Sequence, residues 1–161
     1  MNATCLKHTL IPGTRSLFSD YLYHFDRVSS FFDFDPFDPS SYSRAAAEID
    51  YPGERRNALV RALAEQNPGS PQLEKLAKAG TVAVVTGQQV GLFTGPAYTI
   101  FKAVTAVRLA GRLSEQGIPA VPIFWLETED HDLAEVDHAW VFDRHGKPQR
   151  LNAVVRGTSG P

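Results

Sequence analysis

Two stretches hold the residue types best suited to chemistry. VVTGQQVGLFTGP, Val84 to Pro96, carries Gly87, Gln88, Gln89, Gly91, Thr94 and Gly95. Tyr98 and Lys102 follow it four residues apart, a spacing that puts them on one helix face. FWLETEDHDLAEVDH, Phe124 to His138, concentrates carboxylates and histidines around Asp130, His131 and Asp132.

The first stretch runs from an apolar segment, through glycines, into a helical pattern. The unpaired N–H groups and dipole of a helix start favour an anion. Neither standard phosphate-loop spacing is met. Leu92 stands after Gly91 where a Walker loop needs lysine, and glycines at 87, 91 and 95 do not make G-x-G-x-x-G. That argues against a generic NTPase or dehydrogenase. Gln88 and Gln89 offer uncharged donors and acceptors suited to a sugar, an amide or a carboxylate. The bland alternatives are a tight structural turn and, for Lys102, a surface lysine lying along apolar neighbours.

The second stretch allows two chemistries. His131 can serve as a general acid/base held by Asp130, since imidazole titrates near neutrality, with Asp132 orienting it. Alternatively Asp130, His131 and Asp132 or His138 ligate a divalent metal, although no known ligand spacing is matched. The primary reading uses no metal. The structural alternative is a solvated acidic loop in which Asp132 caps LAEV, with Glu135 at the third helical position. Glu127, Glu135 and Asp137 are read in that solvated sense.

The surrounding pattern says what positions these groups. TVAVV, Thr81 to Val85, is a β-branched run without polar alternation, as in a parallel strand buried on both faces, and should break at Gly87. A helix is expected from Pro96 to about Gln116, with Thr94 or Gly95 as its cap. Its apolar positions Ala97, Ile100, Phe101, Val104, Val107 and Leu113 should face the core. IPAVPIFWL, Ile118 to Leu126, is the second strand, giving a βαβ unit. HAWVFD, a RHGKP turn and QRLNAVV form an expected β-hairpin.

Upstream, helices are expected over Ser16–Phe25, Ser43–Ile49, Glu54–Asn67 and Pro71–Gly80, the last capped by Ser70. FFDFDPFDPSSY, Phe31 to Tyr42, should be extended because Pro36 and Pro39 interrupt a helix. The fold class is therefore α/β. A Rossmann-like parallel βαβ core (81–161) is preceded by an aromatic arm and helices (1–80) that pack on it, and ends in the hairpin. Two parallel strands do not complete such a sheet, so the chain reads as the N-terminal part of a larger protein.

The bulk properties are those of a globular protein. The chain has 161 residues, 43% hydrophobic and 21% charged, with a formal net charge of −2. That balance offers no electrostatic reason to expect nucleic acid. A single cysteine rules out an internal disulfide. No secretory pattern opens the chain and no apolar run reaches membrane-spanning length, so no membrane association and a cytoplasmic location are expected.

Taken together, TGQQVGLFTGP and EDHD are specific. With their flanks, over roughly Val84 to Val141, they resemble the BshC family, to which the cysteine-adding step of bacillithiol biosynthesis is assigned. The resemblance implies a nucleotide-binding Rossmann-type core in a chain several times longer, with a coiled coil, not visible here, that makes a homodimer. It implies cysteine and glucosaminyl-malate as substrates, joined by an amide bond in the last step of the pathway. No tightly bound cofactor follows from it, and an adenine nucleotide enters as cosubstrate. Carried onto this sequence, Gly87, Gln88, Gln89, Gly91, Thr94, Gly95, Tyr98 and Lys102 position substrate or nucleotide. Asp130 and His131 do acid/base work with Asp132 orienting. The LET before EDHD departs from the family pattern, so Glu127 and Thr128 take no role from it. A metal-dependent hydrolase and a truncated, non-catalytic ligand-binding remnant are the competing readings.

Overall fold

The computed structural model describes residues 6–129 and 136–153. The chain divides into two compact units, residues 1–50 and 51–161.

The first unit holds α1 (Ser16–Tyr23), a 3-10 turn over Phe25–Arg27, and α2 (Pro39–Glu48). Aromatic contacts organise it. Tyr21 meets Phe25 and Phe32 with ring centroids 5.9 and 4.7 Å away. The Phe31–Tyr42 segment is not extended throughout, as Pro39 starts α2 instead of preventing it. A proline at the first helical position loses no hydrogen bond, because that N–H has no intrahelical partner. Asp38 caps the helix, accepting from the Ser40 backbone N–H at 2.9 Å and the Ser40 hydroxyl at 2.7 Å. These bonds, with Arg44 nearby, hold the Asp38 carboxyl below its usual range.

The second unit begins with α3 (Gly53–Gln66) and α4 (Pro71–Ala77), followed by β1 (Val82–Gln89). Ser70 stands at the cap position of α4, but its side chain makes no capping bond. Arg56 is the organising side chain. It is buried, and its Nη1 donates to Leu76 O at 2.9 Å and Thr81 O at 2.8 Å. One guanidinium thus joins α3 to the end of α4 and to the residue that leads into β1. Its face lies over the Tyr51 ring, 5.6 Å from the centroid.

From β1 the chain passes through a loop to α5 (Tyr98–Glu115) and returns as β2 (Ala120–Glu127). The strands pair in parallel from Val82 opposite Ala120 to Gln89 opposite Glu127. The βαβ unit is as the sequence pattern requires. β3 (His138–Phe142) and β4 (Pro148–Asn152) form the expected antiparallel hairpin. Its turn is built on Asp143, whose Oδ1 accepts from the backbone N–H of His145 and Lys147.

Three expectations are corrected. β1 does not break at Gly87; it pairs through Gln89. The reason is room: a Cβ at Gly87 would sit 2.7 Å from Trp125 O and 3.0 Å from Trp125 Cβ. The glycine marks a close strand-to-strand approach, not a turn. Nor is β1 buried on both faces, since Val85 is 63% exposed. On α5, the buried residues are Thr99, Ala106, Ala110 and Leu113, while Ile100, Phe101, Val104 and Val107 stay exposed. Small residues let the helix lie close to the sheet, and the larger apolar stripe points elsewhere. At the far end of the helix, Ser114 receives a hydrogen bond from Lys75 Nζ at 2.8 Å and donates to Ala110 O, tying α4 to α5.

Candidate functional site

The C-terminal ends of β1 and β2 and the start of α5 are where an open α/β sheet binds ligands. Four of the predicted residues meet there in one network. Lys102 Nζ donates to Gln88 Oε1 at 2.8 Å and to Gly87 O at 3.1 Å. Gln88 Nε2 donates to the Tyr98 hydroxyl at 3.3 Å. The Lys102 ammonium also lies 5.1 Å from the Tyr98 ring centroid. Lys102 therefore does not extend away into solvent. It reaches back from the second turn of α5 and sets a cation over the end of β1, with its orientation fixed by an amide, a carbonyl and an aromatic face.

The loop between them has an uncommon backbone. A 3-10 turn spans Leu92–Thr94, with Phe93 at φ 54° and Thr94 at φ 75°. Two consecutive non-glycine residues in the left-handed region carry a conformational cost and concentrate at binding sites. Gly95 follows at φ 71°, ψ −149°, a region essentially restricted to glycine. A Cβ on Gly91 would stand 2.8 Å from the Gly95 Cα, so the loop folds back with these two glycines in contact. Neither Thr94 nor Gly95 caps α5. The cap position is Ala97, and no side chain there makes a capping bond. That leaves the helix start without a built-in acceptor of the Ser, Asp or Asn type.

Beside the loop lies a groove of about 390 Å³, lined among others by Val90, Gly91, Thr94, Thr99, Phe124 and Leu126. Sequence reasoning missed Thr99. It is buried, and among the described residues its hydroxyl has no hydrogen-bond partner. The signal that marks it is its spacing with Ala106, Ala110 and Leu113, the stripe of small residues that α5 presents to the sheet.

Of the second stretch, Asp130, His131, Asp132 and Glu135 lie outside the described residues. Glu127 and Glu129, at and just beyond the end of β2, are exposed. Asp137 and His138 belong to the start of the hairpin: His138 Nδ1 lies 3.1 Å from Asp137 Oδ1, and Arg150 Nη2 lies 3.9 Å from the same oxygen. Among the described residues, no three or more His, Cys, Asp or Glu side chains are grouped to hold a metal ion. Among the described residues, no helix is long and apolar enough to cross a membrane.

A parallel βαβ unit with a glycine-shaped loop and a helix start at its carboxyl edge defines a Rossmann-like α/β domain. The family model for the bacillithiol biosynthesis BshC, N-terminal Rossmann-like domain, matches residues 1–159, and the chain belongs to that family. A relative named "Putative cysteine ligase BshC" from Solibacter usitatus (strain Ellin6076) is 56% identical over 151 residues, covering 94% of this chain and 29% of the relative. A protein of the same name from Koribacter versatilis (strain Ellin345) is 37% identical over 169 residues, covering 97% of this chain and 30% of the relative. A third, from Heliobacterium modesticaldum (strain ATCC 51547 / Ice1), is 45% identical over 107 residues, covering 59% of this chain and 20% of the relative. The chain thus spans less than a third of the length of these curated relatives.

Proposed function

We propose that this chain is the N-terminal domain of a cytoplasmic ligase that joins cysteine to glucosaminyl-malate in the last step of bacillithiol biosynthesis. The observation that carries the reading is family membership over nearly the whole chain, with 56% identity to a relative named as a cysteine ligase. The geometry at the strand ends supplies a chemical reason.

Forming an amide from the cysteine carboxylate requires an activated acyl group, either an acyl phosphate or an adenylate. Each is an anion, and each departs with more negative charge than it had in the ground state. The Lys102 ammonium, held by Gly87 O and Gln88 Oε1, and the start of α5 place positive potential where that charge develops. Gln88, Gln89, Thr94 and the glycines at 87, 91 and 95 position substrate or an adenine nucleotide serving as cosubstrate. The glucosamine nitrogen attacks the acyl carbon, the phosphate or nucleotide leaves, and the proton released from nitrogen passes to Asp130 or His131, with Asp132 orienting the base. The complete enzyme works as a homodimer.

The test is reconstitution. The complete gene product, supplied with cysteine, glucosaminyl-malate and ATP, is expected to yield bacillithiol and an equal amount of phosphate or pyrophosphate, read by mass spectrometry. Nucleotide consumption without amide formation, or neither, rejects the reading.

A further inference from the structure

Away from the Lys102 network, β2 ends in an open indole. Trp125 is 60% exposed and its register partner on β1 is Gly87. A tryptophan left in water forgoes about 2–3 kcal/mol of burial, so its place at the carboxyl end of a parallel strand calls for a reason. Three features turn it into a shelf. The strands run so close at Gly87 that no side chain fits there, because its Cβ would meet Trp125 O at 2.7 Å. The surface beside the indole is therefore flat. Trp125 Nε1 donates to Glu127 Oε2 at 3.4 Å, which brings a carboxylate to the edge of the ring. Gln89 is the register partner of Glu127, so an amide residue and a carboxylate residue close the end of the strand pair.

We propose that Trp125, Gly87 and Glu127 form a sugar-binding subsite. The indole face carries the C–H face of a pyranose ring, and the Glu127 carboxylate accepts hydrogen bonds from ring hydroxyls. An aromatic face is electron-rich and attracts the positive edges of C–H bonds. A carboxylate forms strong, charge-assisted bonds with hydroxyl donors. A nucleobase would also stack on an indole, but its phosphates would then lie near Glu127 and Glu129, both exposed carboxylates on the same strand end. Like charges disfavour that arrangement. Gly87 joins the two halves of the site: its carbonyl holds Lys102 and its bare Cα borders the indole. The sugar end of an acceptor would rest on the shelf while the anionic group being activated sits toward Lys102.

The choice of glucosaminyl-malate as probe rests on the ligase reading; the shelf does not. Calorimetric binding to the complete gene product would compare glucosaminyl-malate, methyl glucosaminide, malate and ATP. Trp125→Ala is expected to weaken glucosaminyl-malate and methyl glucosaminide at least tenfold and leave ATP and malate within twofold. Trp125→Tyr should recover most of the loss. Glu127→Gln should weaken the sugar ligands about fivefold with an unchanged melting temperature, and it decides the matter if Trp125→Ala does not fold. Loss of ATP binding instead makes the indole a nucleobase platform and overturns the proposal. Unchanged sugar affinity in folded Trp125→Ala or Glu127→Gln also overturns it, and means that other parts of the protein cover the indole. A wild type that binds the sugars through Trp125 but makes no bacillithiol would sink the ligase reading and leave the shelf standing.

Discussion

Replacing Gly87 with alanine should destabilise the protein, although alanine is normally the better residue in a strand. The added Cβ would lie 2.7 Å from Trp125 O, about 0.7 Å inside ordinary contact, and 3.0 Å from Trp125 Cβ. The obstructing atom is a backbone oxygen in a paired strand, so it cannot rotate away. Separating the strands by that much stretches neighbouring ladder bonds beyond hydrogen-bonding distance. Losing one or two such bonds costs about 1–3 kcal/mol. Restricting the unfolded chain returns roughly 0.4–1 kcal/mol. The net expectation is a loss of about 1–2 kcal/mol, in the range found for overpacked sites. Gly111 provides the control. It lies within α5 with nothing inside 4 Å of its would-be Cβ, so Gly111→Ala should stabilise by about 0.8–1 kcal/mol. Urea denaturation of the two variants, with amide exchange along β1 and β2 as a local readout, measures both effects. A Gly87→Ala protein as stable as wild type would refute the close approach as the reason for the glycine.

Other substitutions probe the scaffold and the site separately. Arg56→Met keeps the apolar stem but strands two buried carbonyls, at Leu76 and Thr81, and should cost about 2–4 kcal/mol in a denaturation series; a loss below 1 kcal/mol would show that the guanidinium is dispensable. Lys102→Ala in the complete gene product should lower kcat/KM about 10²-fold with little change in melting temperature, as expected for a charge that acts on a developing anion. Activity within twofold of wild type would remove Lys102 from the mechanism. The cap of α2 should depend on pH. Because the folded-state pKa of Asp38 is depressed, its contribution is present above the ordinary carboxylate range and is lost as the pH falls through the depressed value. Amide exchange at Ser40 should therefore accelerate in acid, and Asp38→Asn, which caps without titrating, should flatten that response. Identical acid profiles for the two proteins would contradict this assignment.

Much of the fold was legible because local signals agreed with it. The β-branched run before Gly87, the apolar run before ETED and the turn at Asp143–Lys147 all produced the expected elements. What was misread depends on contacts between elements. Periodicity reveals that α5 has apolar stripes, but not which one the sheet takes. Close packing selected Thr99, Ala106, Ala110 and Leu113 over the larger Ile100, Phe101, Val104 and Val107. Gly87 looks like punctuation in one dimension, and only its register with Trp125 shows that it is a spacer. At the site, helical spacing brought Tyr98 and Lys102 together on paper, and the structure adds Gln88 and Gly87 as the groups that orient the lysine. Trp125 carried no such signal, since a tryptophan in an apolar run reads as core until its exposure is seen.

The most direct test of the assigned pathway step is to delete the gene in its native host and quantify thiols and precursors by mass spectrometry of labelled extracts. The ligase reading predicts loss of bacillithiol with accumulation of glucosaminyl-malate, both reversed by the wild-type gene. Unchanged bacillithiol, with no accumulation of the precursor, would contradict it.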